Sequence, residues 1–209
     1  GVDFVMVDGE HNPITAGDAV NMYRAAEALG VPALTRIGEN TQQVIAKFMD
    51  AGSLGVMMPM INSGDDAARL VSYVKYTPVG RRGLAAVRAN EYGMTGAMGE
   101  YVSTANEATV VVAQIETLEG IDHADAIINT PGVDVVFLGP TDLSVALGIP
   151  GQGKHPKVLD VITELTAKIV AAGKVSGTIA RAPEDYGFWR DRGVSFFLTG
   201  ANALLGAAT

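Results

Sequence analysis

Polar and charged residues follow three apolar, strand-like segments at the point where each segment ends. Segment 4–7 is followed by Asp8, Glu10 and His11, segment 110–113 by Gln114 and Glu116, and segment 133–138 by Gly139, Pro140, Thr141 and Asp142. In chains that alternate strand and helix, the carboxyl ends of parallel strands share one edge of the sheet, where ligands and metals bind. The sequence therefore predicts a polar site at that edge.

The first of these strands is followed by two acids and a histidine. His11 is one of only three histidines in the chain, and a histidine at a strand end can transfer protons during a reaction. The alternative interpretation is a polar loop with an aspartate that caps the next helix.

Arg36 ends the second predicted strand, after Leu34 and Thr35. An arginine at that position can bind a carboxylate through two parallel hydrogen bonds or stabilise a developing oxyanion. The alternative is a salt bridge at the rim of the sheet. A second basic stretch, Arg81 and Arg82, lies in a loop that could reach the site or only flank it.

Glu116 and Asp142 are 26 positions apart, which is the length of one β/α unit. That spacing places them at the ends of neighbouring parallel strands, where two carboxylates repel each other unless a cation lies between them. Hard oxygen ligands without cysteine favour Mg²⁺ or Mn²⁺, and Co²⁺ is also compatible. The alternative is a pair of rim acids that are neutralised by Lys or Arg.

The turn from Gly139 to Asp142 could approach a ligand closely, because glycine has no side chain and the next helix would present free N–H groups. Such turns are common, so the turn alone is a weak signal. A Schiff-base aldolase needs a lysine on a strand. None of the six lysines lies at the C-terminal end of a predicted strand, which disfavours imine chemistry and favours metal-assisted chemistry.

The elements that must position these groups alternate along the chain. Strands are predicted at 2–7, 33–37, 54–59, 110–116, 133–138, 174–179 and 194–199, each rich in large apolar residues. Helices are predicted from Thr15 to Leu29 with Thr15 as the cap, from Thr41 to about residue 51 with Thr41 as the cap, and at 64–75, 94–107, 119–129, 156–172, 183–192 and 201–208.

Seven strands joined by helices predict most of an eight-stranded (β/α)₈ TIM barrel in a single domain that spans residues 1–209. Such barrels take about 250 residues, so the chain is expected to lack one β/α unit, and its abrupt start indicates the first. The alternative fold is an open doubly wound sheet. The G-x-G-x-x-G fingerprint that often accompanies that fold is absent, as is a P-loop.

The composition is that of a compact α/β protein, with 48% hydrophobic residues and 25 glycines. The net charge of −8 and the lack of a basic patch do not favour a nucleic-acid partner. The absence of cysteine excludes disulfides, thiolate metal sites and cysteine nucleophiles, and it is compatible with a cytoplasmic location. No unbroken apolar run of about 18 residues predicts a membrane span.

Several segments together resemble the HpcH/HpaI aldolase/citrate lyase family, in particular its pyruvate-dependent class II aldolases. The resemblance covers nearly the whole chain, in order, and the combination is specific although no single motif is. The resembling stretches are residues 5–13, with D-G-E-H-N-P, residues 59–62, Arg82 and Gly83, residues 114–117, with Q-I-E-T, and residues 136–144, with G-P-T-D-L-S.

The resemblance implies a (β/α)₈ barrel that assembles as a hexamer, a trimer of dimers. It also implies roles for individual residues. Glu116 and Asp142 would ligate a divalent metal, with Gln114 beside them. Arg36 would stabilise the pyruvate enolate, and His11, oriented by Asp50, would act in acid/base catalysis. The backbone of Gly139, Pro140, Thr141 and Asp142 would hold the pyruvate carboxylate.

The activity that this resemblance implies is cleavage and formation of 4-hydroxy-2-oxo acids, from pyruvate or hydroxypyruvate and an aldehyde. Two other functions stay open. One is a CoA-thioester lyase of the citrate or malyl type, and the D-G-E-H motif favours the aldolase over it. The other is a barrel that binds a 2-oxo acid without catalysis.

Overall fold

The structure, a computed structural model, describes residues 1–94 and 96–206, without the side chain of residue 205. Its strands are β1 (Val5–Asp8), β2 (Ala33–Arg36), β3 (Gly55–Met58), β4 (Val110–Ile115), β5 (Val135–Leu138), β6 (Val175–Ile179) and β7 (Val194–Leu198). Its α-helices are α1 (Ala16–Glu27), α2 (Gln42–Ala51), α3 (Gly64–Val74), α4 (Met98–Ala108), α5 (Leu118–Asp122), α6 (Ala124–Ile128), α7 (Pro140–Ala146), α8 (Pro156–Ala171), α9 (Pro183–Arg190) and α10 (Ala201–Gly206). A 3₁₀ helix covers Arg88–Gly93.

The strands follow one another in the sheet in the same order as in the chain, from β1 to β7. The pairs β1–β2, β2–β3, β5–β6 and β6–β7 are parallel. The predicted parallel α/β arrangement is therefore confirmed. A doubly wound sheet reverses its strand order at a switch point, so the sequential order contradicts that alternative.

The chain divides into two compact units. The first combines Gly1–Pro59 with Asp65–Val112, and the second combines Met60–Gly64 with the chain from Ala113 onward. Strand β4 contributes its first half to one unit and its second half to the other.

The core of the first unit lies where α1 and α2 pack beside the β1–β3 strands. Helix α1 buries Tyr23, whose hydroxyl hydrogen-bonds to the buried Thr35 of β2 at 2.5 Å. Thr35 in turn bonds to Ser53, 3.0 Å away. These hydroxyls satisfy one another away from water, as buried polar groups must.

The second unit packs α8 and α9 beside β5–β7. Helix α8 buries an apolar stripe at helical spacing, made of Val158, Ile162, Leu165 and Ile169. In β6 a Cβ on Gly177 would lie 2.8 Å from the Phe137 ring. The missing side chain leaves room for the edge-to-face contact of Phe137 with Phe196.

Some predicted helices differ from the observed ones. The predicted helix 119–129 is split at His123, whose backbone leaves helical geometry and whose Nδ1 bonds to the Asn62 carbonyl at 2.9 Å. Helix α7 was not predicted as a separate helix. The predicted helix 94–107 begins at Met98, and residues 207 and 208 of the predicted helix 201–208 lie outside the described residues.

Within the described ranges 1–94 and 96–206, no helix is long and apolar enough to cross a membrane.

The two threonines predicted to cap helices differ in their contacts. Thr15 forms a full capping box, in which its side chain accepts the Asp18 N–H and the Asp18 carboxylate accepts the Thr15 N–H at 2.9 Å. Thr41 precedes α2 without a side-chain capping bond. Thr15 is therefore confirmed as a cap, whereas Thr41 occupies the position without the hydrogen bond.

We expect Thr15→Ala to lower the free energy of unfolding by about 1 kcal/mol, since it removes a capping bond. Thr41→Ala is the matched control and should have a smaller effect, because no such bond is lost. Urea unfolding of the three proteins measures both changes. Equal losses for the two variants would contradict the assignment.

Candidate active site

In the first unit, Arg36 is held by Asp8, the last residue of β1, and by Glu10, which follows the strand. The register of β1 and β2 sets Asp8 opposite Arg36. The guanidinium donates two hydrogen bonds to the Asp8 carboxylate, Nε to Oδ1 at 2.9 Å and Nη2 to Oδ2 at 2.6 Å. Glu10 Oε2 lies 3.3 Å from the same Nε. The rim salt bridge therefore forms, and it fixes the guanidinium in one orientation.

The same aspartate shapes the turn that carries His11. Asp8 Oδ1 accepts the N–H groups of Glu10 and His11 at 3.1 and 3.4 Å. Partial burial acts to raise the pKa of Asp8, but the hydrogen bond and charge of Arg36, with the two backbone N–H groups, outweigh it. The pKa of Asp8 therefore lies below its usual value, and the carboxylate is ionised at neutral pH.

His11 itself lies at the surface, with 61% of its side chain exposed and Nε2 3.6 Å from Glu10 Oε2. An exposed imidazole can reach a substrate. Asp50, at the end of α2, instead accepts a hydrogen bond from Arg82 Nη2 at 2.7 Å. Within residues 1–94 and 96–206, no hydrogen bond joins Asp50 to His11, so the orienting role of Asp50 stays a prediction.

Arg82 is a residue whose importance the sequence left undecided. Its side chain is only 2% exposed, and its guanidinium lies 4.6 Å from the centroid of the Tyr76 ring. The loop arginine therefore belongs to the interior of the first unit, where it fixes Asp50. The resemblance of Arg82 and Gly83 to a family stretch was the one signal that pointed to it.

In the second unit, Glu116 directly follows β4 and is 4% exposed. Its Oε1 accepts the Met60 N–H at 3.0 Å, and its Oε2 accepts a short hydrogen bond from Gln114 Nε2. The Met60 backbone is in the left-handed region, with φ of 54°. This conformation is uncommon for residues other than glycine, asparagine and aspartate. That strained backbone aims an N–H at the carboxylate.

Gln114 provides the test of whether this site fits a cation. The side chain is 2% exposed, and Oε1 is buried without a hydrogen-bond partner among the described residues. An unpaired buried acceptor costs about 1–3 kcal/mol unless water or a ligand satisfies it. An amide oxygen next to a buried carboxylate is a ligand set that hard divalent cations accept. The residues present therefore fit such an ion.

The turn after β5 lies against this pair. A Cβ on Gly139 would lie 3.0 Å from Glu116 Oε2 and 3.1 Å from Gln114 Nε2. A side chain at this position would force Glu116 or Gln114 to shift, whereas glycine lets the backbone approach without that cost. Pro140 begins α7, and Asp142 lies exposed in its first turn.

Asp142, the second carboxylate predicted for the site, lies in the first turn of α7, the helix that follows β5, and β5 is the neighbour of β4 in the sheet. The described part of the chain holds no group of three or more His, Cys, Asp or Glu side chains arranged for a metal. A site here would therefore use two carboxylates with neutral oxygens and water, which is the coordination typical of Mg²⁺.

The profile of one protein family, HpcH/HpaI aldolase/citrate lyase, matches residues 1–205. The chain belongs to this family. The family predicted from the resemblance is thereby confirmed. Its relatives are named aldolases, so the chain is a carbon–carbon lyase by family.

Similar proteins include both aldolases and a synthase. A 2-keto-3-deoxy-L-rhamnonate aldolase from Salmonella gallinarum is 32% identical over 207 residues, which are 98% of this chain and 76% of the relative. The crystal structure of an HpcH/HpaI aldolase from Desulfitobacterium hafniense is 30% identical, with a TM-score of 0.91 over 100% of this chain and 81% of that one. The crystal structure of the citrate synthase SbnG is 29% identical, with a TM-score of 0.88, and the match covers 100% of this chain and 81% of that one.

The tight contact at Gly139 leads to a test of the packing around Glu116. Gly139→Ala should lower the free energy of unfolding by about 1–3 kcal/mol, because the new methyl group overpacks the Glu116 carboxylate. Gly187 in α9 has nothing within 4 Å of an added Cβ, so Gly187→Ala is the control and should be neutral or stabilising. Urea unfolding measures both, and a neutral Gly139→Ala would show that the turn is not tightly packed.

The ion pair of Asp8 with Arg36 should make stability depend on pH. Since the pKa of Asp8 is lower in the folded protein, its contribution is present above about pH 4 and is lost as the pH falls through the folded value. We expect Asp8→Asn to be less stable than the parent at pH 7, with the difference shrinking in acid. Asp3→Asn, at an exposed acid, is the control. A difference that grows in acid would contradict the ion pair.

Proposed function

We propose that this protein is a metal-dependent class II aldolase. It cleaves 4-hydroxy-2-oxo acids to pyruvate or hydroxypyruvate and an aldehyde, and it catalyses the reverse addition. The observation that carries the proposal is the buried Glu116 carboxylate beside Gln114. The amide oxygen of Gln114, Oε1, has no hydrogen-bond partner among the described residues. The family membership and the named aldolase relatives support it.

In this proposal Glu116 and Asp142 ligate the divalent cation, Mg²⁺, Mn²⁺ or Co²⁺, with Gln114 beside it. When bound, the ion supplies Lewis-acid polarisation of the keto group. The hydrogen bonds from Met60 and Gln114 hold the Glu116 carboxylate in place for that task. The backbone from Gly139 through Pro140 and Thr141 to Asp142 binds the pyruvate carboxylate.

Arg36 stabilises the negative charge that develops when His11 takes a methyl proton from pyruvate and the enolate forms. The guanidinium is preorganised for this role, because two hydrogen bonds to Asp8 already fix its orientation and little reorientation is needed during the reaction. His11 transfers the proton to or from the aldehyde oxygen. Its exposed imidazole and its position on the turn built by Asp8 support this role, and Asp50 is proposed to act with it.

A second candidate is a CoA-thioester lyase of the citrate or malyl type, which the similarity to a citrate synthase favours. A CoA-ester substrate trial separates it from the aldolase. A third candidate, a barrel that binds 2-oxo acids without catalysis, would bind pyruvate and show no exchange of its methyl protons.

The assembly proposed with this function is a (β/α)₈ barrel domain of residues 1–209, in a hexamer built as a trimer of dimers. The sequential parallel strand order supports the barrel. Light scattering of the purified protein measures the oligomer.

Exchange of the pyruvate methyl protons in deuterated water tests the proposed function directly. With Mg²⁺, Mn²⁺ or Co²⁺ present, proton NMR should show loss of the methyl signal without any aldehyde, because enolate formation needs only pyruvate. EDTA should stop the exchange. A folded preparation that shows no exchange with any of the three ions would overturn the aldolase.

Arg36→Lys tests the role of the fixed guanidinium, since lysine keeps the charge but loses the two-pronged contact. We expect the exchange rate to fall about 100-fold or more, as for removal of one oxyanion donor. Arg24→Lys on α1 is the control and should keep the parent rate. Circular dichroism verifies that both variants fold, and full activity in folded Arg36→Lys would sink the assignment.

A further inference from the structure

A cavity in the second unit adjoins the turn proposed to bind pyruvate, and the rest of its lining has no role in the proposed chemistry. Its volume is about 780 Å³, within the range of about 300–1,000 Å³ that is usual for small-molecule sites. Pro140 and Thr141 form one wall, and Phe188 and Trp189 of α9 form another. Because Pro140 and Thr141 belong to the turn proposed to hold pyruvate, the cavity lies where a second substrate would enter.

Two cations line this cavity, and one of them is neutralised locally. Lys154 Nζ lies 2.6 Å from Asp185 Oδ1. The hydrogen bond and the charge of Asp185 raise the pKa of Lys154, and they outweigh the opposing effect of burial. Asp185 is therefore the acid of the cavity wall that pairs with Lys154.

Arg181 is the other cation, and it lies two residues after the end of β6. Its Nη2 donates a hydrogen bond to Thr141 Oγ1 at 2.9 Å, which fixes the guanidinium at the cavity wall beside the turn. Asp185 accepts the backbone N–H of Arg181 at 3.1 Å, but it forms no ion pair with the Arg181 guanidinium. Among residues 1–94 and 96–206, no carboxylate forms an ion pair with the Arg181 guanidinium.

We propose that Arg181 binds a negatively charged group on the acceptor aldehyde, so that the cavity selects aldehydes bearing a carboxylate or a phosphate over neutral ones. A guanidinium held by a neutral hydroxyl keeps its charge available for a planar or tetrahedral anion. Phe188 and Trp189 provide an apolar surface for the carbon chain. This inference rests on the proposed aldolase function and names the class of its second substrate.

Direct binding tests the subsite without catalysis. Isothermal titration compares two matched pairs: 5-oxopentanoate with pentanal, and glyceraldehyde 3-phosphate with glyceraldehyde. The parent protein should bind the charged member of at least one pair about tenfold or more tightly than the neutral member. A preference in the first pair indicates a carboxylate site, and a preference in the second pair indicates a phosphate site. Equal affinity within both pairs would overturn the proposal.

Arg181→Gln should remove the preference for the charged aldehyde and leave the neutral one unaffected. Arg190→Gln, which changes an exposed arginine of α9 paired with Asp191, is the control and should keep the preference. If Arg181→Gln still prefers the charged aldehyde, another group binds the anionic part of the aldehyde. That result would overturn the role of Arg181.

Exchange of pyruvate methyl protons separates this inference from the proposed function, because it needs no aldehyde. In Arg181→Gln the ratio of the addition rates with charged and with neutral aldehydes should fall. Parent protein that exchanges normally but adds charged and neutral aldehydes equally well overturns the subsite alone. Absence of exchange overturns the aldolase, and with it the acceptor role of the cavity.

Discussion

Glu116 is buried, with 4% of the residue exposed, and a carboxylate removed from water is stable only if donors or a cation replace its hydration. Two of those donors are visible: the Met60 N–H on a left-handed backbone and the Gln114 amide. The absence of a side chain at Gly139 lets the next turn approach the same oxygen. Met60, Gln114 and Gly139 therefore share one task, which is to hold this carboxylate in one place.

A parallel constraint acts in the first unit, where strand register does the positioning. Because β1 and β2 end together, Asp8 lies opposite Arg36 and forms two hydrogen bonds with it. The same carboxylate accepts the N–H groups that shape the His11 turn. One aspartate thus orients both the arginine and the segment with the histidine, which explains why acids and a histidine occur together after this strand.

The strands and the polar groups at their ends could be predicted from the sequence, because buried parallel strands are short apolar runs and their ends are marked by a change to polar residues. The contacts of Arg82 could not be predicted. A basic pair in a loop indicates exposure, whereas Arg82 is buried against Tyr76 and bonds to Asp50. The split at His123 depends on a hydrogen bond to Asn62, 61 positions away, and local periodicity contains no information about such a contact.

A titration with Mn²⁺, followed by the electron paramagnetic resonance signal of the free ion, tests most directly whether Glu116 belongs to a metal site. The parent protein should bind one ion per chain. Glu116→Gln, which keeps the shape and loses the charge, should bind at least about tenfold more weakly. Glu119→Gln, at an exposed acid of α5, should match the parent. Equal binding by the parent and Glu116→Gln would contradict the account.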